Sequence, residues 1–577
     1  MKDWQFDPSS DHLRAGAVSR RHFLYSALAV GAASLAGACA PVAPSTTPAT
    51  SAPAAVATSA PAAAATAPAG APATQAPAAP TKKGGTLVFA AESMGDSLEP
   101  GLFNGFGTTN VLDNVGDKLT GPGENWTDPA RPALAESWDI STDRLTYTFH
   151  IRKGVKFHDG TAVDANSVVR SLTRMTNESD KSYVKGLYMN AEYGFANWAS
   201  ITAPDGATVK LVLKQADAAQ LHRLFHPAAV ILSPKALDEF GSGIGTQIVG
   251  AGPFKLDKLV PGQEATLVAF DDYWDGGRPP LDKVVIRGYP NDGAMLAAIE
   301  SGEVNFAPYP PSSAVPRLKN SGKLNVQPGP PLIDLFLGCC ELKPPTDNHD
   351  IRLAINYAVN RQNLIDSVLY GLAELPATLI GPTEFGFDAS GRDISKQDIA
   401  QAKDHVAKSG LSTPIPINFS YENTRFWPQM AELIKSDLEA VGFKVTLDKL
   451  DTAAYWAKVL AGKSQLNMNQ RSLWVPDPDN KVRLLHSSQA MAQGETGVAK
   501  LPIGKQFDEL IDQGRSEADK ERRTAIYKKL QDLILQDMPY VMLAYYTKPV
   551  VMAKNVANVP VAAASTERVF LGKVALG

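Results

Sequence analysis

The sequence is short of cysteine, of charge bias and of long apolar runs, and each shortage removes a class of protein. Three cysteines in 577 residues cannot build a disulfide framework. Cys39 lies near the start, whereas Cys339 and Cys340 are neighbours with no third thiol after them. A bridge between adjacent cysteines is strained, so two ordinary thiols are expected there. Lysine and arginine total 56 against 60 for aspartate and glutamate, a net charge of -4, and no basic block stands out. A nucleic-acid partner is therefore set aside. Beyond residue 40 no stretch is long enough to span a membrane without charges or prolines. Neither an H-E-x-x-H nor a G-x-S-x-G segment occurs. A paired-carboxylate site would leave no such trace, so a secreted hydrolase remains the minor alternative.

What is present begins with an address. Ser19-Arg20-Arg21-His22-Phe23-Leu24 precedes an apolar run from Tyr25 to Ala38 that is too short for a comfortable membrane span. Arg20 and Arg21 give it the look of a twin-arginine export signal, with a general secretory signal as the alternative. Leu35-Ala36-Gly37-Ala38-Cys39 resembles a bacterial lipobox, with Ala36 where leucine is usual. The expectation is a lipid on Cys39; the alternative is plain cleavage at small residues. From Pro41 to Pro80 the chain uses only Ala, Pro, Thr, Ser, Val, Gly and Gln. Without charge or bulk such a segment builds no core, so a disordered tether is expected.

The informative stretch runs from Leu134 to Leu172. Leu145, Tyr147, Phe149 and Ile151 alternate with Thr146, Thr148, His150 and Arg152, the period of a half-buried strand. Asp159-Gly160 supplies a turn pair, and Asp164 can cap a helix facing inward through Val168, Val169 and Leu172. Further on, strands are expected at Thr86–Ala90, Thr208–Leu213, Leu335–Leu337, Ile415–Tyr421, Lys444–Leu447 and Tyr540–Tyr546. Helices are expected at Ala294–Ile299 with Gly302 as C-cap, from Asp350 as cap to Arg361, at Gln429–Val441 and at Glu521–Leu535. The last places Ile526, Tyr527, Leu530, Leu533 and Ile534 on one face. His222 and His226, four apart in HRLFH, have a zinc-like spacing, but Arg223 and the following Pro227 argue against a metal site, and none is expected. No cofactor is expected either.

The wording of several segments resembles one family. LAESW followed by TYTFHIRKGVKFHDG, then Val249-Gly250-Ala251-Gly252-Pro253-Phe254, Asp272-Tyr273-Trp274 with Pro280-Leu281-Asp282, Gly302-Glu303-Val304 and the Asp350–Arg361 helix are similar to solute-binding family 5 of ABC transporters. The resemblance runs from about Gly84 to about Val559. It implies a mixed α/β, two-lobed periplasmic-binding-protein fold of the hinged type II, with an extra subdomain on the first lobe. The implied division is a signal with lipobox at 1–39, a linker at 40–83, lobe I from 84–118, 245–330 and 535–577, its subdomain at 119–244, and lobe II at 331–534.

The resemblance also implies binding without turnover, a permease and an ATPase as partners, a monomer, and a place outside the cytoplasm at the outer face of the membrane. Peptide is the family's default ligand; an oligosaccharide, an opine-like compound or a metal chelate is the alternative, as is a chemosensory role. Peptide-binding members carry an aspartate for the ligand's ammonium in a W-x-A-D-Y-P-D-P segment. Here Arg471-Ser472-Leu473-Trp474-Val475-Pro476-Asp477-Pro478 takes its place, with Trp474 at the aspartate's position. Trp474 offers a flat face for a sugar, an aromatic group or a cation. Asp477, Arg471, Tyr421, Tyr455 and Trp456 are further cleft candidates, as is Glu99 in the turn Ser97-Leu98-Glu99-Pro100, where the family commonly has Asp.

Overall fold

A computed structural model describes residues 84–102, 105–184, 194–289, 291–390, 394–488, 494–561 and 566–577. Arg20, Arg21 and Cys39, with the signal and the tether, lie outside the described residues.

The first lobe is built on a seven-stranded sheet whose middle strand is Thr86–Ala91. That strand runs parallel to Lys283–Gly288 on one side and to Phe306–Ala307 on the other. A strand flanked this way is covered on both faces, which accounts for its unbroken apolar run LVFAA. Leu87 and Phe89 pack against Val111, Leu112 and Val115 of the helix Phe106–Val115. Ala90 on the other face meets Met295, Ala298 and Ile299 of the helix Asp292–Ser301. Gly302 ends that helix at φ 79°, the left-handed turn expected of it.

The subdomain is a four-stranded antiparallel sheet of Ala135–Ile140, Thr146–Ile151, Thr208–Leu213 and Trp198–Asp205. Tyr147, Phe149 and Ile151 are buried and their alternates are not, as the period-two pattern requires. Asp164 accepts from the Ser167 backbone N–H at 2.8 Å and caps the helix Ala165–Thr173. Such a cap is worth about 1 kcal/mol.

The second lobe holds a six-stranded mixed sheet in the order Ala373–Glu374, Tyr540–Tyr546, Ile333–Cys339, Leu466–Ser472, Ile415–Glu422, Phe443–Leu450. Ile333, Leu335 and Leu337 face Ile351, Ile355 and Ile434 on one side. Phe336, Tyr540 and Met542 face Phe507, Tyr527 and Leu530 on the other. Cys339 and Cys340 are buried free thiols, and burial pushes Cys339 up to about 12.

Three expectations are corrected, and the histidine spacing is resolved. The strand Tyr540–Tyr546 belongs to the second lobe's sheet, so a lobe I segment beginning at 535 starts too early. Its every residue is buried between two layers, and an apolar run alone does not say which sheet it joins. Asn348, not Asp350, caps the helix His349–Ala358, because its side chain accepts from the Asp350 N–H. Near His222 the helix covers only Gln220–Arg223, so the two imidazoles never share a helix face; His226 instead accepts from the Ala228 N–H. Finally, the helix Lys520–Asp537 buries Arg523 and Gln531 beside Tyr527, Leu530 and Ile534, while Ile526 and Leu533 are only half-buried.

The chain crosses between the two sheets twice. It leaves the first after Gln327 and enters the second at Ile333, then returns between Tyr546 and Val550. Three of the residues at 328–332 are Pro328, Pro330 and Pro331, and the return carries Lys548 and Pro549.

Candidate ligand site

In sheets with parallel strands, ligands collect outside the carboxyl ends of the strands, where loops diverge and leave a crevice. Both lobes offer such ends to one place. Glu92 directly follows Thr86–Ala91, and Tyr309 follows its parallel neighbour Phe306–Ala307. Arg425 follows Ile415–Glu422, itself parallel to Phe443–Leu450. With Ser312, Tyr546 and Lys548 they line a cavity of about 90 Å³ between the lobes, and Asp292, Tyr370 and Gln429 reach it from the sides.

Arg425 has φ 52°, a left-handed backbone rarely adopted by a side-chain-bearing residue. That turn sends its guanidinium across the cleft to an ion pair with Glu92. Burial works against the Arg425 charge, but Glu92 and Glu567 hold it in place. Lys548 pairs with Glu567; burial pushes the lysine down and the glutamate up. Phe106 lies under both cations, with Lys548 5.4 Å and Arg425 5.9 Å from its ring, and Tyr309 is 4.7 Å from the same lysine. The Ser312 and Tyr546 hydroxyls are 2.7 Å apart across the lobes. Asp292, exposed at the cavity's side, is pushed up by partial desolvation and by the nearby Glu92. Charges of both signs, hydroxyls and an aromatic floor thus converge on one small space.

None of the seven expected ligand residues lines that cavity. Trp474 is 8% exposed, and its ring stands edge-on to Phe106 at 6.1 Å and beside His226 at 5.8 Å. Arg471, Tyr455 and Trp456 are brought together elsewhere in the second lobe. The Arg471 guanidinium lies 5.4 Å from the Trp456 ring and donates to Glu495 at 2.5 Å, while the Tyr455 hydroxyl donates to the Met468 carbonyl at 2.7 Å. Tyr421 is packed in the lobe's core beside Phe419. Asp477 caps the helix Pro478–His486, and its carboxylate takes two bonds from Arg523 at 2.8 and 2.9 Å. Glu99 is buried against Arg174 at 2.5 Å. Asp477 and Glu99 are thus committed to structure. Among the described residues no group of metal ligands occurs.

Glu92, Arg425, Lys548, Glu567, Phe106 and Tyr309 were missed. The one available signal was position: Glu92 and Arg425 come directly after or just beyond apolar strands. Using it required knowing which strands are parallel neighbours, and that is a property of topology.

The family model for bacterial extracellular solute-binding proteins, family 5 (its middle part), matches residues 130–493, and the chain belongs to that family. It is a substrate-binding protein of ABC importers, not an enzyme; such proteins bind small solutes outside the cytoplasm and work with a permease and an ATPase. Among its relatives is a glutathione-binding protein of Escherichia coli, 28% identical over 428 residues that make up 71% of this chain and 79% of the relative. Among solved structures, a periplasmic binding protein from Helicobacter pylori in complex with the peptide STSA is 29% identical with a TM-score of 0.76, covering 86% of this chain and 98% of its own. A binding protein from A. tumefaciens in complex with agropinic acid is 25% identical with a TM-score of 0.74, covering 85% and 99%. No helix among the described residues is long and apolar enough to cross a membrane.

Proposed function

We propose that this protein is a monomeric, lipid-anchored receptor, exported on the Arg20-Arg21 signal and held at the outer face of the membrane through Cys39, that captures a short peptide or peptide-like zwitterion for import. The observation that carries the ligand class is the cavity itself. Arg425 and Lys548 line about 90 Å³ together with Glu92 and Asp292, so a solute bearing both a carboxylate and an ammonium, on displacing the Arg425–Glu92 pair, finds a partner for each. That volume admits a charged end group, well below the roughly 300 Å³ or more of a pocket enclosing a whole ligand, so the lobes part to admit the remainder. The relatives' ligands (glutathione, a peptide and agropinic acid) support this chemistry.

A second reading, a non-peptide acid such as an opine, is favoured by Trp474. Its ring is packed against Phe106 and offers no charge to an ammonium.

Mass spectrometry of the full chain as purified, native and then denatured, tests the ligand. Released short peptides support the first reading; a single opine-like mass moves the assignment to the second; a neutral sugar or a metal chelate sinks both. Membrane fractionation of Cys39→Ser tests the anchor, with release from the membrane as the expected result.

A further inference from the structure

A second group of charges spans the lobes without lining the cavity. Asp217 and Arg223 sit in the subdomain, between the strand Thr208–Leu213 and the end of the helix Gln220–Arg223. Asp479 and Arg483 stand on the helix Pro478–His486, and Arg515 near the end of the helix Gly504–Ser516, both in the second lobe. Each side owns an ion pair. Arg223 donates to Asp217 at 2.8 Å, and Arg483 donates to Asp479 at 3.2 Å. The two pairs then interlock. Arg223 also pairs with Asp479, and Arg515 donates to Asp217 at 2.9 and 3.1 Å. The Ala218 N–H donates to the Arg515 carbonyl across the same boundary at 2.8 Å. Every one of these charged side chains is at least nine-tenths buried.

The arrangement has the logic of a fastener. Parted, Asp217 keeps Arg223 and Asp479 keeps Arg483, and only Arg515 exchanges its aspartate for water. Joined, four of the five ions enter the dry interface with a counter-ion already beside them, which lowers the desolvation cost that defeats most buried ion pairs. The crossed contacts, an arginine from each side onto the aspartate of the other, exist only when the faces meet. We propose that Asp217, Arg223, Asp479, Arg483 and Arg515 form a closure latch between the subdomain and the second lobe, which sets how long the closed form persists whatever solute is held. The latch is separate from the ligand cavity and does not depend on the proposed ligand.

Hydrogen exchange of the ligand-free full chain reads the latch through the Ala218 amide, with the strand Tyr540–Tyr546 as internal reference. In the native protein Ala218 is expected to be protected, yet to exchange sooner than the reference, because opening is cheaper than unfolding. Arg515→Met removes a crossed contact and leaves both home pairs; it is expected to speed Ala218 exchange about tenfold or more without moving the reference. Arg515→Lys, which keeps the cation, is expected to fall between, and serves if Arg515→Met does not fold. An unprotected Ala218 in the native protein, equal exchange of Ala218 and the reference, or a variant that accelerates both alike would overturn the proposal.

Discussion

Two charged regions join the lobes, and they differ in how dry they are. Around the cavity, the Arg425 and Glu92 side chains are 23% and 22% exposed. In the network at the subdomain, Arg223 and Asp217 are 1% and 0% exposed. Water, or a solute replacing it, can reach the first pair and compete for each ion; the second pair has only its protein partners. An accessible pair is worth about 0–1 kcal/mol because solvent stands ready to replace either partner. A buried one costs about 3–5 kcal/mol to break, because the remaining charge has nowhere to turn. The same residue types therefore serve recognition in one place and cohesion in the other.

The contrast is broken most directly at Arg223. Arg223→Met leaves Asp217 and Asp479 each short of a buried cation, and urea denaturation is expected to show a loss of about 3–5 kcal/mol. A loss under about 1 kcal/mol would mean that the network is no drier than the cavity.

A buried group with no counter-ion at all sharpens the point. His486 is stacked on Phe507 at 4.8 Å, neither ring nitrogen has a hydrogen-bond partner among the described residues, and burial lowers its pKa to about 3. The unfolded chain takes up a proton near pH 6.5 and the folded one near 3, so this histidine's stability contribution is full above pH 6.5 and falls as pH drops toward 3. His486→Phe abolishes that loss. Its stability advantage over the native protein is expected to grow by up to about 5 kcal/mol on acidification across this window, and a gap that stays constant with pH would refute the assignment.

The smallest effect on stability belongs to the cavity. Arg425→Gln is expected to change the unfolding free energy by less than about 1 kcal/mol while abolishing the co-purified ligand in native mass spectra. Retained ligand would remove Arg425 from the site; a large stability loss would make its pair with Glu92 structural.

The fold was legible wherever local chemistry repeats. The alternation around Tyr147 and Phe149, the cap at Asp164 and the turn at Gly302 each follow from a few neighbouring residues, and the family resemblance from several such segments. The site was not. Asp477, expected at the cleft, instead caps the helix that starts at Pro478, and its partner Arg523 is remote in sequence and unseen from there. Tyr421 and Tyr455 obey strand and helix patterns that say they face inward without saying toward what. Arg425 and Glu92 meet only because two sheets present their strand ends to each other, and no local pattern encodes that meeting.

Lys548 is the charged cavity residue that belongs, with Pro549, to the return crossing between Tyr546 and Val550. Prolines at 328, 330, 331 and 549 fix φ at four places in the two crossings, leaving few torsions through which the lobes can swing. Were the lobes to turn on these crossings, Glu92 and Arg425 would sweep past a nearly stationary cation, and the pattern of charge offered to a solute would itself be a function of the angle.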